Sequence, residues 1–514
     1  MVDVVMVRNY RGGDGTEWRA GLTYSASDSY ARYLIGSGLA YAADGSLPDV
    51  PLNAGQAMAV TAGAFYSAAR NTVVALGDSF QANASSITDG IAYFNFSQAS
   101  ALNWCCVLLK QALWLPYGAK AGASTANIVN FSLAVSGVTS QSVIDNQIGP
   151  AAALNAGFWS IQVGTNDFTL LPADSAVTIC ARIRTICSAG LAAGAKVILG
   201  TIPPRNNAQW QAFSSDFTTA GTTVAAQRAK HMTVNAWMRR YAQETPGIIL
   251  SDPYDELVDL SSSTGDWIAG NTSDGTHWSN AGAFIAGRIM ANAVGPHVKP
   301  IPRAGLSVPD AYSSSNYGGN LMPDAGLQGS ETVPTATGMS GSVPTNWHVN
   351  MQDGTATAVC SVGARTDTLG SGVVVNGRKL TIAVSTAGAA SRLRAYGSIF
   401  STLVPANTPF WAEMEFEVTA NTAAWDGPGL QAFFSDPGAV TPQFGALGNA
   451  DGPLPVGAVF SGVIRTPISS STVNAGQLLF AHMNLRASSA ATMNIYRMGV
   501  YTLDSRHLGV LLGS

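Results

Sequence analysis

The chain has 514 residues, too many for one core, and 46% of them are hydrophobic while only 11% are charged, about half the usual share. A net charge of −4 without any basic run argues against nucleic-acid binding as the main task, and no run of about 18 apolar residues is present to span a membrane. Two to four domains are expected, rich in Gly, Ala, Ser and Thr, a composition that suits closely packed β structure and extracellular assemblies.

Residues 1–65 read as a small N-terminal α+β segment, suited to virion attachment or to an oligomer contact. "VDVVMVRNY" predicts a strand, and "SASDSYARYLIGSGLAYAA" predicts a capped short helix ending at Gly36 or Gly38. The opening "MVDVVMVRNYRGGDG" has no basic start, apolar core and small-residue cleavage site. The expectation is a chain made in the cytosol that reaches any extracellular task without a recognisable signal peptide.

Across residues 66–294 short apolar runs alternate with helical stretches. The runs are "TVVALGDS", "NIVNFSLAV", "FWSIQVGTND", "AKVILGTIPP" and "GIILSDP"; the helices include "QASALNWCCVLLKQAL", "SAVTICARIRTICSAGLAAG", "AAQRAKHMTVNAWMRRYAQE" and "SNAGAFIAGRIMANAV". Such alternation predicts right-handed βαβ units and an α/β fold with a parallel sheet covered on both faces. Each run ends in small or polar residues, where such a sheet places its ligand site.

Residues 295–312 carry four prolines in "GPHVKPIPRAGLSVPD" and read as a linker. From 313 to 514 helical periodicity gives way to short alternating runs such as "SGVVVNGRKLTIAVST", "FWAEMEFEVTA", "GAVFSGVIRTPI" and "TMNIYRMGVYTL". These predict a C-terminal β-sandwich, jelly-roll-like, that packs as its own unit. The five cysteines, Cys105, Cys106, Cys180, Cys187 and Cys360, form no Cys-x-x-Cys pair. Cys180 and Cys187 lie roughly 10.5 Å apart along one helix, too far for a disulfide. They read as small buried hydrophobes.

Four segments at strand ends carry chemistry. "VVALGDSFQANASS" stops a strand at Gly77-Asp78-Ser79; "NFSLAVSGVTS" sets Gly137 after the second; "IQVGTNDF" sets Gly164, Asn166 and Asp167 after the third; "SDGTHWSNAG" sets Asp274 and His277 before the last helix. Each has an ordinary reading: Gly-Asp-Ser and Ser-Gly are turns, Asn and Asp cap helices, and a single His is commonly a surface residue. Together they supply a nucleophilic hydroxyl, a base with a carboxylate three residues away to orient it, and N–H donors for an oxyanion. No Gly-x-Ser-x-Gly elbow is present.

On these residues the chain resembles the SGNH subgroup of the GDSL hydrolases over about 70–294. Gly77-Asp78-Ser79 matches its first block, Gly137 the second, Gly164-x-Asn166-Asp167 the third and Asp274-x-x-His277 the fifth. One departure is Phe80 in place of Leu after the serine. The resemblance implies a flavodoxin-like α/β/α fold with Ser79 as nucleophile, His277 as general base and Asp274 as its orienter. It also implies an oxyanion hole of the Ser79 and Gly137 N–H groups with the Asn166 side chain, and no cofactor or metal.

Other residues compete. Asp252, Asp255 and Asp259 lack a neighbouring histidine and read as turn and capping residues. His231, His297, His348, His482 and His507 lack metal-ligand spacing. Trp278 either walls the cleft or packs the last helix. Trp347, Trp411 and Trp425 are either sugar-stacking platforms or core.

The N-terminal "VRNYRGG…AGLTYSASDSYARYLIGSGLAYAA" resembles segments of bacteriophage structural proteins. "NLMPDAGLQGS…VPTNWHV" resembles the first strand of carbohydrate-binding sandwich modules, with Leu327 in place of the usual aromatic. These resemblances imply a homotrimeric phage tail esterase, acting extracellularly from the virion on a bacterial surface polysaccharide, with no nucleic-acid partner and no membrane insertion. The expected activity is removal of short acyl groups, in the first instance O-acetyl, through an acyl-serine intermediate. Alternatives are a receptor-binding tail protein whose main task is sugar binding, and a secreted bacterial carbohydrate esterase.

Overall fold

The computed structural model describes residues 71–82, 100–116 and 131–298, segments between 322 and 502, and short strands between 2 and 42. The chain divides into two compact units: Met1–Arg70 with Tyr312–Gly318 and Thr502–Ser514, and Asn71–Ala311 with Gly319–Tyr501. In the first, Val2–Met6 pairs antiparallel with Thr23–Ala26 on one edge and Ala40–Ala42 on the other, and Tyr10–Arg11 pairs with Glu17–Trp18. The strand expected in "VDVVMVRNY" is present. Parts of the expected helix, Ser25–Ala26 and Ala40–Ala42, are strand; 27–39 lie outside the described residues.

The second unit is built on four parallel strands, β1 (Val73–Gly77), β2 (Phe158–Gln162), β3 (Lys196–Gly200) and β4 (Ile248–Ser251), paired in that order. β1 and β2 are buried at every position, which is why they read as unbroken apolar runs. The second expected strand is reduced to a bridge: Ser132 pairs parallel with Ala75, and Val135 N–H donates to Gly77 O at 3.1 Å along the free edge of β1. With that segment counted, the order is 2-1-3-4-5, and the switch point falls beside β1.

The helices are α1 (Ser79–Ala82), α2 (Ala101–Leu108), α3 (Ser140–Asn146), α4 (Ala176–Ala192), α5 (Val224–Glu244) and α6 (Asn280–Val294). Their starts are set by side-chain caps. Ser100, Thr139, Ser175, Thr223 and Ser279 each accept an N–H from the first turn, at 3.1 to 3.5 Å. α2 packs against α6, while α4 packs against α3 and α5. Right-handed crossovers put these two groups on opposite faces of the sheet.

Residues 322–502 are sheet-rich. Their main strands are β5 (Met339–Val343), β6 (His348–Asp353), β7 (Ala356–Thr368), β8 (Val374–Ala387), β9 (Ser391–Tyr396), β10 (Pro409–Phe434), β11 (Phe460–Arg465) and β12 (Gln477–Thr502). Hydrogen bonds link them in the order β5-β7-β8-β12-β9-β6, with β10 joining β12 to β11.

This sheet does not stand apart from the parallel one. Trp104 of α2 and Phe284 of α6 meet Phe460 of β11 at ring distances of 5.6 and 5.0 Å, and Phe416 of β10 closes the cluster at 5.8 Å from Phe460. Trp114 lies 5.9 Å from Trp411, and Arg465 stacks over Trp114 at 4.7 Å. Gln111 Nε2 donates to Val463 O at 2.8 Å, and Asn280 Nδ2 to Asp426 O at 3.0 Å. The C-terminal region therefore shares a core with the α2–α6 layer, in contrast to the separately packed unit expected from sequence. Most of the proline-rich segment lies outside the described residues.

Candidate active site

The site forms where β1 ends. Gly77 has φ +133°, and any side chain there would put its Cβ 1.9 Å from Gln162 O, so only glycine lets β1 turn this close to β2. The Gln147 side chain holds the turn at both ends: Gly77 N–H donates to Oε1 at 2.8 Å and Nε2 donates to Gly77 O at 3.0 Å. α1 begins at once with Ser79. Phe80 N–H donates to Asp78 Oδ1 at 3.1 Å, and Gln81 and Ala82 N–H donate to Asp78 O at 3.1 and 2.9 Å. The Ser79 N–H is thus left without a partner among the described residues.

The loop before α6 brings in the base. Thr272 Oγ1 donates to His277 O at 2.6 Å and accepts Gly275 N–H at 2.8 Å, folding the loop on itself. Asp274 Oδ1 accepts the N–H groups of Thr276 and His277 at 2.8 and 2.7 Å, and its Oδ2 lies 2.7 Å from His277 Nδ1. His277 Nε2 lies 2.7 Å from Ser79 Oγ. Burial works against the Asp274 charge, but bonds from the His277 ring and from the His277 and Thr276 N–H groups outweigh it, holding the carboxyl well below the usual range. An ionised Asp274 fixes the proton on Nδ1, so Nε2 accepts from the serine hydroxyl.

Gly137 occupies an exposed turn at φ +81°, beyond the bridge segment. Asn166 stands at the N-cap of the short helix Asp167–Leu170, yet its side chain makes no capping bond. Its Nδ2 instead donates to Val138 O at 3.0 Å, which turns the amide toward the Gly137 turn. The neighbouring Asp167 reaches across to α3, accepting Ser140 N–H at 2.8 Å and the Ser140 hydroxyl. The structure thus joins Ser79, His277 and Asp274 in one hydrogen-bonded line and links the Asn166 turn to the Gly137 turn.

Two charges near the site were not singled out from sequence. Asp78 is fully buried; its pKa is pushed by burial up to about 7, against the Phe80 N–H. Arg205, 5% exposed, donates from Nη2 to Thr165 Oγ1 at 3.1 Å and lies over Trp210 at 5.3 Å. Nothing local in "TIPPRNN" marks this arginine; its partners are remote in sequence.

The competing residues find other work. Asp252 forms a two-bond ion pair with Arg239, at 2.6 and 3.0 Å, rather than a cap; Asp255 meets the same arginine at 3.2 Å. Asp259 accepts Ser261 N–H at 2.9 Å in a turn. His231 is buried, its Nε2 donates to Ile202 O at 3.0 Å, and burial lowers its pKa to about 4. His297 and His348 are exposed, His482 is buried, and His507 lies outside the described residues. Trp278 is buried against Phe80, ring to ring at 4.7 Å. Trp347, Trp411 and Trp425 are core residues, at most 1% exposed, so none offers a face to a sugar. All five cysteines are free and buried. Among the described residues no cluster could hold a metal ion, and no helix is long and apolar enough to cross a membrane.

The family described as GDSL-like lipase/acylhydrolase matches residues 75–283. Among solved structures, a GDSL-like lipase from Bacteroides thetaiotaomicron is 16% identical, with 44% of this chain and 87% of that chain covered and a TM-score of 0.29. A family 3 carbohydrate esterase from Clostridium thermocellum is 15% identical, covering 44% and 96%, with a TM-score of 0.29. A mutant acetyl-xylooligosaccharide esterase from a Geobacillus is 17% identical, covering 44% and 94%, with a TM-score of 0.30. No curated protein matches the sequence.

Proposed function

Residues 75–283 are a GDSL/SGNH acylhydrolase domain, and on that premise we propose that the protein is a serine esterase acting through Ser79, His277 and Asp274. The observation that carries this reading is the unbroken line Ser79 Oγ–His277 Nε2 and His277 Nδ1–Asp274 Oδ2, both at 2.7 Å. Ser79 Oγ attacks the ester carbonyl while His277 Nε2 takes its proton. The tetrahedral oxyanion faces the Ser79 and Gly137 N–H groups and the second N–H of Asn166. His277 then protonates the departing alcohol, leaving an acyl-serine. Water, deprotonated by the same Nε2, releases the acid and restores Ser79.

The acyl group is short, in the first instance acetyl, because the site segments "AVSGVTS", "GTNDF" and "DGTHW" are small and polar. The substrate is an O-acylated polysaccharide of a bacterial surface. The setting is a phage tail, with the protein a homotrimer acting outside the cell. The low charge share, the Gly/Ser/Thr-rich chain and the sheet-rich 322–502 region support that setting. Acetate release from a panel of O-acetylated capsules and O-antigens, with wild type and Ser79→Ala, tests the chemistry; sedimentation of the full chain tests the trimer. No release from any member by wild type overturns the polysaccharide assignment, and a monomer overturns the trimer.

A further inference from the structure

Beneath the nucleophile lie two charges that the reaction as described does not use. Asp78 is fully buried and uses Oδ1 to accept Phe80 N–H, while its Oδ2 has no partner among the described residues. Arg205 is 5% exposed, and its Nε is likewise buried without a partner. Buried carboxylates and guanidinium groups are costly unless opposed by charge. Each faces the other: Arg205 is the permanent cation acting on Asp78, and Asp78 and Asp274 are the anions acting on Arg205.

The placement of Arg205 ties it to every block of the site. Its Nη2 bonds Thr165, next to Asn166. Asn235 grips Ile202 in the same loop, accepting its N–H and donating to its O, both at 2.9 Å. One residue on, Asn206 N–H donates to Gly275 O at 2.8 Å, and Gln209 Nε2 donates to Asp274 O at 2.7 Å. The arginine therefore projects from a braced loop between the Ser79 turn, the Asn166 turn and the Asp274–His277 loop.

We propose that Arg205 is a positioning residue for the nucleophile, its charge facing Asp78 and tying the turn that carries Ser79 to the turn that carries Asn166. Asp78 secures the Phe80 N–H, and with it the direction in which the Ser79 N–H points. A charged acceptor holds that N–H more tightly than a neutral one. The groups facing Asp78 are Arg205, His277 and Asp167, with Asp167 in turn 3.6 Å from Arg182. Loss of Arg205 leaves Asp78 facing Asp167 with only His277 as counter-charge, so Asp78 holds its proton to higher pH.

This inference rests on the esterase reading, so wild type and Ser79→Ala are measured first on p-nitrophenyl acetate. An inactive wild type sinks both; an active one isolates the test of Arg205. Arg205→Met is expected to lower kcat about 10- to 100-fold with KM little changed, and to move the acid limb of kcat/KM to higher pH. Arg205→Lys should restore most of both. In an Asp78→Asn background most of the Arg205→Met shift should vanish, because the two act as one unit. An unchanged kcat and limb, a loss that simply adds to that of Asp78→Asn, or a loss with the limb in place overturns the proposal. Should Arg205→Met fold poorly by circular dichroism, Asp78→Asn alone decides, since its acid limb should fall; an unmoved limb refutes the pairing.

Discussion

His277 Nε2 meets Ser79 Oγ at 2.7 Å across 198 residues of sequence. The meeting depends on two independent devices. Gly77 ends β1 against Gln162, and Asp274 wraps its carboxylate around the backbone and ring of His277. Neither residue of the pair has rotational freedom to lose when substrate arrives, which is what preorganisation requires.

Ser79→Ala and His277→Ala should each abolish hydrolysis of p-nitrophenyl acetate while circular dichroism stays native. Asp274→Asn should retain more activity, since the serine–histidine contact survives while the ring loses the partner that fixes its tautomer. Full activity in Ser79→Ala would mean that another residue attacks the ester.

Asn166→Ala should lower kcat roughly 10²- to 10³-fold, the usual loss for one oxyanion donor. Because Asn166 makes no capping bond, the helix Asp167–Leu170 should persist, and the melting temperature should move little. A large drop in melting temperature with kcat preserved would reassign the residue to structure.

Asp78→Asn should change how stability depends on pH. The Asp78 carboxyl titrates near 7 when folded and near 3.8 when unfolded, because burial disfavours its charge. The folded state holds the proton more tightly, so stability from this group is fully present below about 3.8 and is lost as pH rises toward about 7. Removing the carboxyl should cancel this slope and raise stability at pH 8 relative to pH 4, by up to about 4 kcal/mol. Urea midpoints at the two pH values measure it, and parallel slopes in wild type and variant contradict it.

Removal of residues 313–514 should leave no soluble hydrolase. The cut bares Trp104, Phe284 and Trp114, buried partners of β10 and β11. A gentler probe is Gly462→Val, whose Cβ would stand 2.6 Å from Val107 Cγ1 and 2.9 Å from Val107 O. Such overpacking costs about 1–3 kcal/mol. Activity and sheet signal should be lost together on heating; a soluble, active 1–312 fragment would show the seam to be dispensable.

Much of the parallel sheet was legible because its strands are buried on both faces and so read as unbroken apolar runs. Helix starts were legible because Ser100, Ser175 and Ser279 announce them as caps. "NIVNFSLAV" misled: at the sheet's edge it contributes a bridge at Ser132 rather than a strand. In the site, Ser79, Asp274 and His277 sit in short, recognisable strings. Arg205 and Gln147 do not, since each acts on a segment tens of residues away, Arg205 on Thr165 and Gln147 on Gly77. Composition also hid the fate of Trp411: a stacking tryptophan and a core tryptophan are the same letter, and only the arrival of Trp114 beside it decides.

The aromatic seam between α2, α6 and β11 also bears on inheritance. A proline-rich stretch invites recombination there, yet a hydrolase segment moved alone would carry Trp104 and Phe284 without the Phe460 that covers them. The two regions can be exchanged only as a matched pair, so substitutions on one side of the seam should be answered by substitutions on the other. In descent, if not in composition, they are one unit.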